Sequence, residues 1–249
     1  ATRLAMLRIL IGGFSTVYLC SRLVHYAHFS GLNPSQFSPV GIVSCLETPL
    51  PNGMTWALTV TTIGAGVLFT LGWRFRVLGP LFALLLLWTT TYRHCWGMIY
   101  HTDNLMVLHV CVLGLSGGGA DAWSLDAQRR GVGRAQDSGA YGWPIRLMSA
   151  LTVCAYFIAG VAKLRIGGPE WVTDGLLGHT IAYDAVRKLE LGSISSPLAA
   201  VMAHQTWFWR PLAVVTLALE LGAPLALVSS RLGHFWVLGI WLFHLGVVA

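Results

Sequence analysis

The chain has 249 residues, of which 55% are hydrophobic and only 10% charged, with a mean hydropathy of +0.65. Soluble domains are usually about 25% charged, so this composition rules out an ordinary soluble globular domain and points to an integral membrane protein. The net charge of +6 is spread over short loops, as orienting arginines would be, and forms no basic stripe for nucleic acid.

A helix that crosses a bilayer needs about 20 mostly apolar residues. By that measure the sequence predicts an all-α polytopic membrane bundle of about seven spans in one domain over residues 1–249. The spans fall near 4–23, 55–72, 77–91, 104–116, 145–164, 208–228 and 234–249. The first run is too long for a removable signal peptide and lacks a small-residue cleavage site. Segment 31–53 carries four prolines and reads as a loop. Segment 117–144, rich in Gly, Arg and Asp, is expected to be a flexible polar loop. Segment 171–206 is too polar to span. Within it Trp171, Leu176, Leu177, Ile181 and Val186 suggest an interfacial or re-entrant amphipathic helix, and 197–206 a further short piece.

Counting arginines orients these spans. With the N-terminus on one side, alternation gathers Arg3, Arg8, Arg74, Arg76, Arg129, Arg130, Arg134, Arg146 and Arg231 there, and this side is expected to be cytoplasmic. The opposite, acid-richer side would face outward. Of the five cysteines, Cys20, Cys111 and Cys154 lie in apolar runs as small core residues. Cys45 and Cys95 lie in outward loops, where a disulfide and two free thiols are both open.

The polar residues of interest collect on the outward side or inside the spans. Lys163 ends the apolar run that begins at Tyr156. A desolvated amine there is a base, whereas a lysine that snorkels to the interface is an anchor. Glu220 lies within a span, where a carboxylate must be protonated or paired. The stretch 91–96 contains Arg93 and leads into Tyr100, His101, Asp103 and Asn104. If a helix starts at Asp103, then His101, Asn104, Leu105 and His109 share one arc. Asp103 also reads as a helix cap, His109 as a core histidine, and His244 as a weaker case of the same kind. No ligand spacing among the nine histidines suggests a metal site, and none is expected.

The run Ala155-Tyr156-Phe157-Ile158-Ala159-Gly160-Val161-Ala162-Lys163-Leu164, followed by Trp171-Val172 and Gly175, resembles a segment of the vitamin K-dependent γ-glutamyl carboxylases. It also resembles their bacterial relatives, the HTTM (horizontally transferred transmembrane) family. The Leu7-Arg8-Ile9 start, the 96–108 stretch, Glu220 and Phe243-His244 fit the same pattern, so the resemblance covers nearly the whole chain. In those carboxylases the lysine matching Lys163 is taken as the base that deprotonates reduced vitamin K. The resemblance therefore implies a reduced vitamin K or menaquinol-like quinone as cofactor, with O2 and CO2 as co-reactants, and a lyase or oxidase activity. It implies Lys163 as the catalytic base, and the polar residues read above add His101 and Glu220 as the catalytic residues expected with it. Asp103, Asn104, His109, Tyr100, Arg93, Trp171 and His244 would bind substrate in an outward-facing cavity. Expected partners are the lipid bilayer, the quinone or lipid ligand, and a peptide substrate or membrane protein, and the expected location is a bacterial cytoplasmic membrane. The histidine that accompanies the carboxylases' asparagine is out of register here, and their large extramembrane domain has no room in 249 residues. A non-enzymatic alternative stands beside this expectation: a membrane scaffold, a lipid-binding protein, or an accessory in peptide maturation or immunity.

Overall fold

The protein is described by a computed structural model covering residues 1–97, 99, 101–131, 139–173, 175–190 and 206–248. Among these the secondary structure is helical, with no strand. The chain divides into two compact units, 1–148 and 149–249, and each is taken by itself.

The first unit is built on α1 (Thr2–Ser21), α3 (Asn52–Leu71), α4 (Phe75–His94) and α5 (His101–Leu115), with the short α2 (Leu23–His28) and α6 (Leu125–Arg130). The helices α1, α3 and α4, with the segment Gly139–Gly167, are the four among the described residues long and apolar enough to cross a membrane. They coincide with the first, second, third and fifth expected spans, and α5, a helix of 15 residues, falls where the fourth was expected. The tightest packing lies between α4 and α5. A Cβ at Gly79 would stand 2.8 Å from the Gly114 carbonyl oxygen, and one at Gly114 would stand 2.6 Å from that of Gly79. Two backbones meet this closely only where neither carries a side chain, which is how helices gain contact when lipid offers no hydrophobic drive. The hydroxyls of Thr62 and Thr89 add a 2.9 Å bond between α3 and α4.

Much of the segment expected to be a flexible polar loop is tied down. Arg8, counted in the sequence as an orienting charge, is fully buried. It donates to the carbonyls of Gly119 and Ala122 at 2.8 and 3.4 Å, and to that of Trp123. Trp123 holds φ at +48°, a region bulky residues avoid, and its carbonyl is held by the guanidinium. Asp126 then caps α4, accepting the backbone N–H groups of Arg74 and Phe75 at 2.9 and 2.8 Å. A carboxylate at a helix N-terminus satisfies orphan donors and the dipole together.

The second unit comprises α7 (Gly142–Gly167) from Ser149 onward, α8 (Glu170–Thr173), α9 (Leu176–Glu190), α10 (Thr206–Leu221) and α11 (Ser230–Val248). The sixth expected span breaks at Gly222, where Pro224 prevents a continuous helix and a 3-10 turn covers Ala223–Leu227. The segment expected to be an interfacial amphipathic helix contributes to the apolar core of its own unit. Trp171 and Leu177 pack with Trp209, Ala213 and Leu217 of α10, and Leu176 and Ile181 pack against that cluster, while Val186 stays exposed. The expected piece at 197–206 falls almost entirely outside the described residues. All five cysteines are free thiols, so Cys45 and Cys95 are unlinked. Cys95 is buried and donates to the Thr91 carbonyl, and burial pushes its thiol up. Cys45 is exposed.

Candidate functional site

In the second unit α7 presents Tyr156, Gly160, Lys163 and Gly167 at intervals of four, three and four residues, which puts them on one helical face. Gly160 is what lets α10 approach that face. A Cβ there would lie 3.0 Å from the Cβ of Glu220 and 3.1 Å from the Leu221 side chain. The contact brings Glu220 against Lys163, and Nζ donates to Oε1 in an ion pair. The lysine side chain is 23% exposed and the glutamate 6%. The position of Glu220 differs from the mid-span carboxylate expected. It sits in the last turn of α10, where an ionised acid faces the negative end of the helix dipole, and the ammonium opposite offsets that penalty.

Trp171 closes the site, with its ring centroid 5.2 Å from Nζ. This is within the range where a ring face attracts a cation. Expected as an interfacial ring, Trp171 instead belongs to the apolar core of its unit. Two atoms here are shielded from solvent and have no hydrogen-bond partner among the described residues: Glu220 Oε2 and Trp171 Nε1. One is an acceptor and the other a donor. One turn of α7 back from Gly160, Tyr156 bonds His244 Nε2 of α11 at 2.5 Å and meets Trp236 edge-on at 5.2 Å. His244 therefore stands with Tyr156, and no bond joins it to Lys163.

The first unit holds a separate polar cluster centred on Asp103, which is completely buried. Its Oδ2 receives Arg93 at 2.7 Å and lies 3.2 Å from His94 Nε2, while Oδ1 receives the Tyr18 hydroxyl. Arg93 also donates to Tyr18 at 2.8 Å. Three side chains from α1 and α4 thus share the one carboxylate of α5, and neutral and charged donors satisfy it together. Asp103 is committed to this network rather than to capping α5. Beside it Tyr26 is buried, and desolvation followed by the Asp103 charge pushes its phenol up.

The arc of α5 that carries His101, Asn104, Leu105 and His109 is not its buried one. Asp103, Met106, Val107 and Val110 form the buried stripe, whereas His101 and Asn104 are exposed. His109 is half-buried and lies 3.3 Å from the Met148 carbonyl oxygen, as a core histidine would. Tyr100 lies outside the described residues. Tyr18, His94 and Tyr156 were not singled out by sequence. A lone tyrosine in an apolar run gives no signal, but an arginine as deep as Arg8 does.

A family model described as HTTM domain matches residues 1–248. No curated protein and no solved structure matches the chain.

Proposed function

The chain belongs to the HTTM domain family, a membrane domain found in the vitamin K-dependent carboxylases, and from that premise we propose that it deprotonates a reduced quinone or similar lipid, with Lys163 as the base. The supporting observation is the Lys163–Glu220 pair beside two shielded, unpartnered polar atoms. Those atoms suit a lipid-borne hydroxyl: Glu220 Oε2 is open to accept its hydrogen bond and Trp171 Nε1 to donate to a neighbouring oxygen. A lysine ammonium cannot abstract a proton until it has lost one. Glu220 is bonded to Nζ and takes that proton, leaving an amine and a carboxylic acid where there were two ions. In a poorly hydrated site the neutral form lies closer to the ion pair than it does in water. The amine then removes the hydroxyl proton, a step worth about 10²–10⁴ in rate for a well-placed base. Bound there, a quinol supplies the acidic hydroxyl and the electrons for oxygen-dependent chemistry of the epoxidase or carboxylase type. Seven spans, a cytoplasmic N-terminus and an outward-facing site in a bacterial cytoplasmic membrane complete the proposal. Exposed His101 and Asn104 would meet a peptide substrate or partner.

The test is extraction of purified protein for quinones, followed by quinol-dependent oxygen uptake. Lys163→Ala is expected to lower the rate by about 100-fold or more. A rate equal to that of the unaltered protein removes Lys163 from the chemistry.

One observation favours the non-enzymatic alternative. Tyr156–His244 ties α7 to α11 from the same face of α7, and Lys163–Glu220 would then be a second tie of that kind in a membrane scaffold or a peptide-maturation accessory. Full activity loss in Lys163→Ala with the fold intact argues against it.

A further inference from the structure

The arginines on the N-terminal side of the membrane account for its orientation by their number alone, but not for their arrangement. Arg74, Arg76, Arg129 and Arg130 wall one cavity of about 420 Å³, with Asp121 and Asp126 as its acids. That volume lies in the range of small-ligand sites, about 300–1,000 Å³. Both acids are already engaged. Asp126 accepts the two backbone N–H groups at the start of α4. Asp121 accepts from Arg130 at 3.2 Å and from Tyr141 at 3.0 Å. Arg130 also donates to the Ala120 and Asp126 carbonyls, so it is part of the wall. Arg74, Arg76 and Arg129 are exposed and have no carboxylate partner among the described residues.

Three guanidiniums around a concave site, none with a carboxylate partner among the described residues, form a receptor for an oxyanion, because their forked donors match phosphate oxygens in pairs. The place of the cavity narrows the class further. Its lining takes in the start of α4 (Arg74 to Val77), residues 117–121 that follow α5, and α6, and α4 is a membrane-crossing candidate. In a bilayer crossed by α4, the start of that helix would stand where the span leaves hydrocarbon, at headgroup depth. Trp123, 60% exposed on the turn that Arg8 holds, is the kind of aromatic that anchors at that level. We infer that this cavity binds a phosphate group, as carried by an anionic phospholipid headgroup or by free phosphate, and that Arg74, Arg76 and Arg129 are its ligands.

The test uses full-length protein in nanodiscs of phosphatidylcholine alone or with phosphatidylglycerol, reading bound lipid by native mass spectrometry. In parallel, inorganic phosphate is titrated into detergent-solubilised protein by calorimetry. The variant is Arg76→Gln/Arg129→Gln, and Arg3→Gln is the control because Arg3 is exposed outside the cavity. Each cation near an anionic surface is worth a factor of about five, so the double variant is expected to lose roughly 10- to 30-fold in affinity, with the control unchanged. Retention of phosphatidylglycerol lost in the double variant identifies the lipid as the source. Saturable phosphate binding lost in that variant, without lipid preference, identifies the free anion. Equal binding by the unaltered protein and the double variant in both experiments overturns the site. So does an equal loss in Arg3→Gln, which would mark a diffuse effect of charge.

Discussion

The chemistry of Lys163 is inseparable from Glu220, because each makes the other tolerable where it sits. Removing one partner strands the other, so Lys163→Met is expected to destabilise the protein by about 3 kcal/mol. Partial exposure of the lysine places it at the low end for a buried pair. Lys163→Met/Glu220→Leu replaces both charges with apolar bulk and should return stability to within about 1 kcal/mol of the unaltered protein, while quinol turnover stays lost. Thermal unfolding in one detergent measures both. A double variant no more stable than Lys163→Met would show that the contact is not a coupled pair. Asp103 poses the same problem in a drier guise, since three neighbours converge on a fully buried carboxylate. Tyr18→Phe deletes one bond to a charged acceptor and should cost about 1.5–3 kcal/mol, readable as a lower unfolding midpoint. Cys45 and Cys95 differ by burial alone. A maleimide at neutral pH is expected to modify Cys45 within minutes and leave Cys95, buried and with its thiol pushed up, unmodified until the protein unfolds.

Among the helices, the α4–α5 contact depends on what is missing. Gly114→Ala drives a methyl into the Gly79 carbonyl, which as backbone cannot rotate aside, and a cost of about 1–3 kcal/mol is expected. An unchanged unfolding midpoint in Gly114→Ala would mean that the helices part freely. Hydropathy placed α1, α3, α4 and α7 well, because a run of 20 apolar residues needs no partner to be recognised. It could not place the break at Gly222, where the apolar residues continue from Leu221 through Val228 and only Pro224 disagrees. Periodicity put His101 and Asn104 on one arc of α5 but could not say which arc is buried. That depends on Arg93, His94 and Tyr18, brought in from 10, 9 and 85 residues away. Lys163 stood out in the sequence and Glu220 stood out independently. Their meeting depends on Gly160, whose role becomes visible only when α10 lies against it.

As a whole, the chain is an integral membrane protein by its apolar helices and its HTTM domain. The orientation assigned from arginine counting predicts a labelling pattern in intact cells. A membrane-impermeant maleimide added from outside should reach Cys45 and should not reach a cysteine introduced as Arg129→Cys. The reverse pattern would place the Lys163 end of α7 in the cytoplasm and end the proposal of an outward site. Arg8 carries a further consequence for how the molecule is made. The carbonyls that satisfy it lie 111 to 115 residues further along the chain, so the first helix reaches the bilayer with an uncompensated cation. At about 5–20 residues per second the ribosome needs roughly 6 to 20 s to deliver the turn that receives it. Through that interval the nascent helix must be sheltered by the insertase or stay near the aqueous boundary. Stalled chains ending before and after that turn should differ in how strongly Arg8-bearing helices cross-link to the insertion machinery.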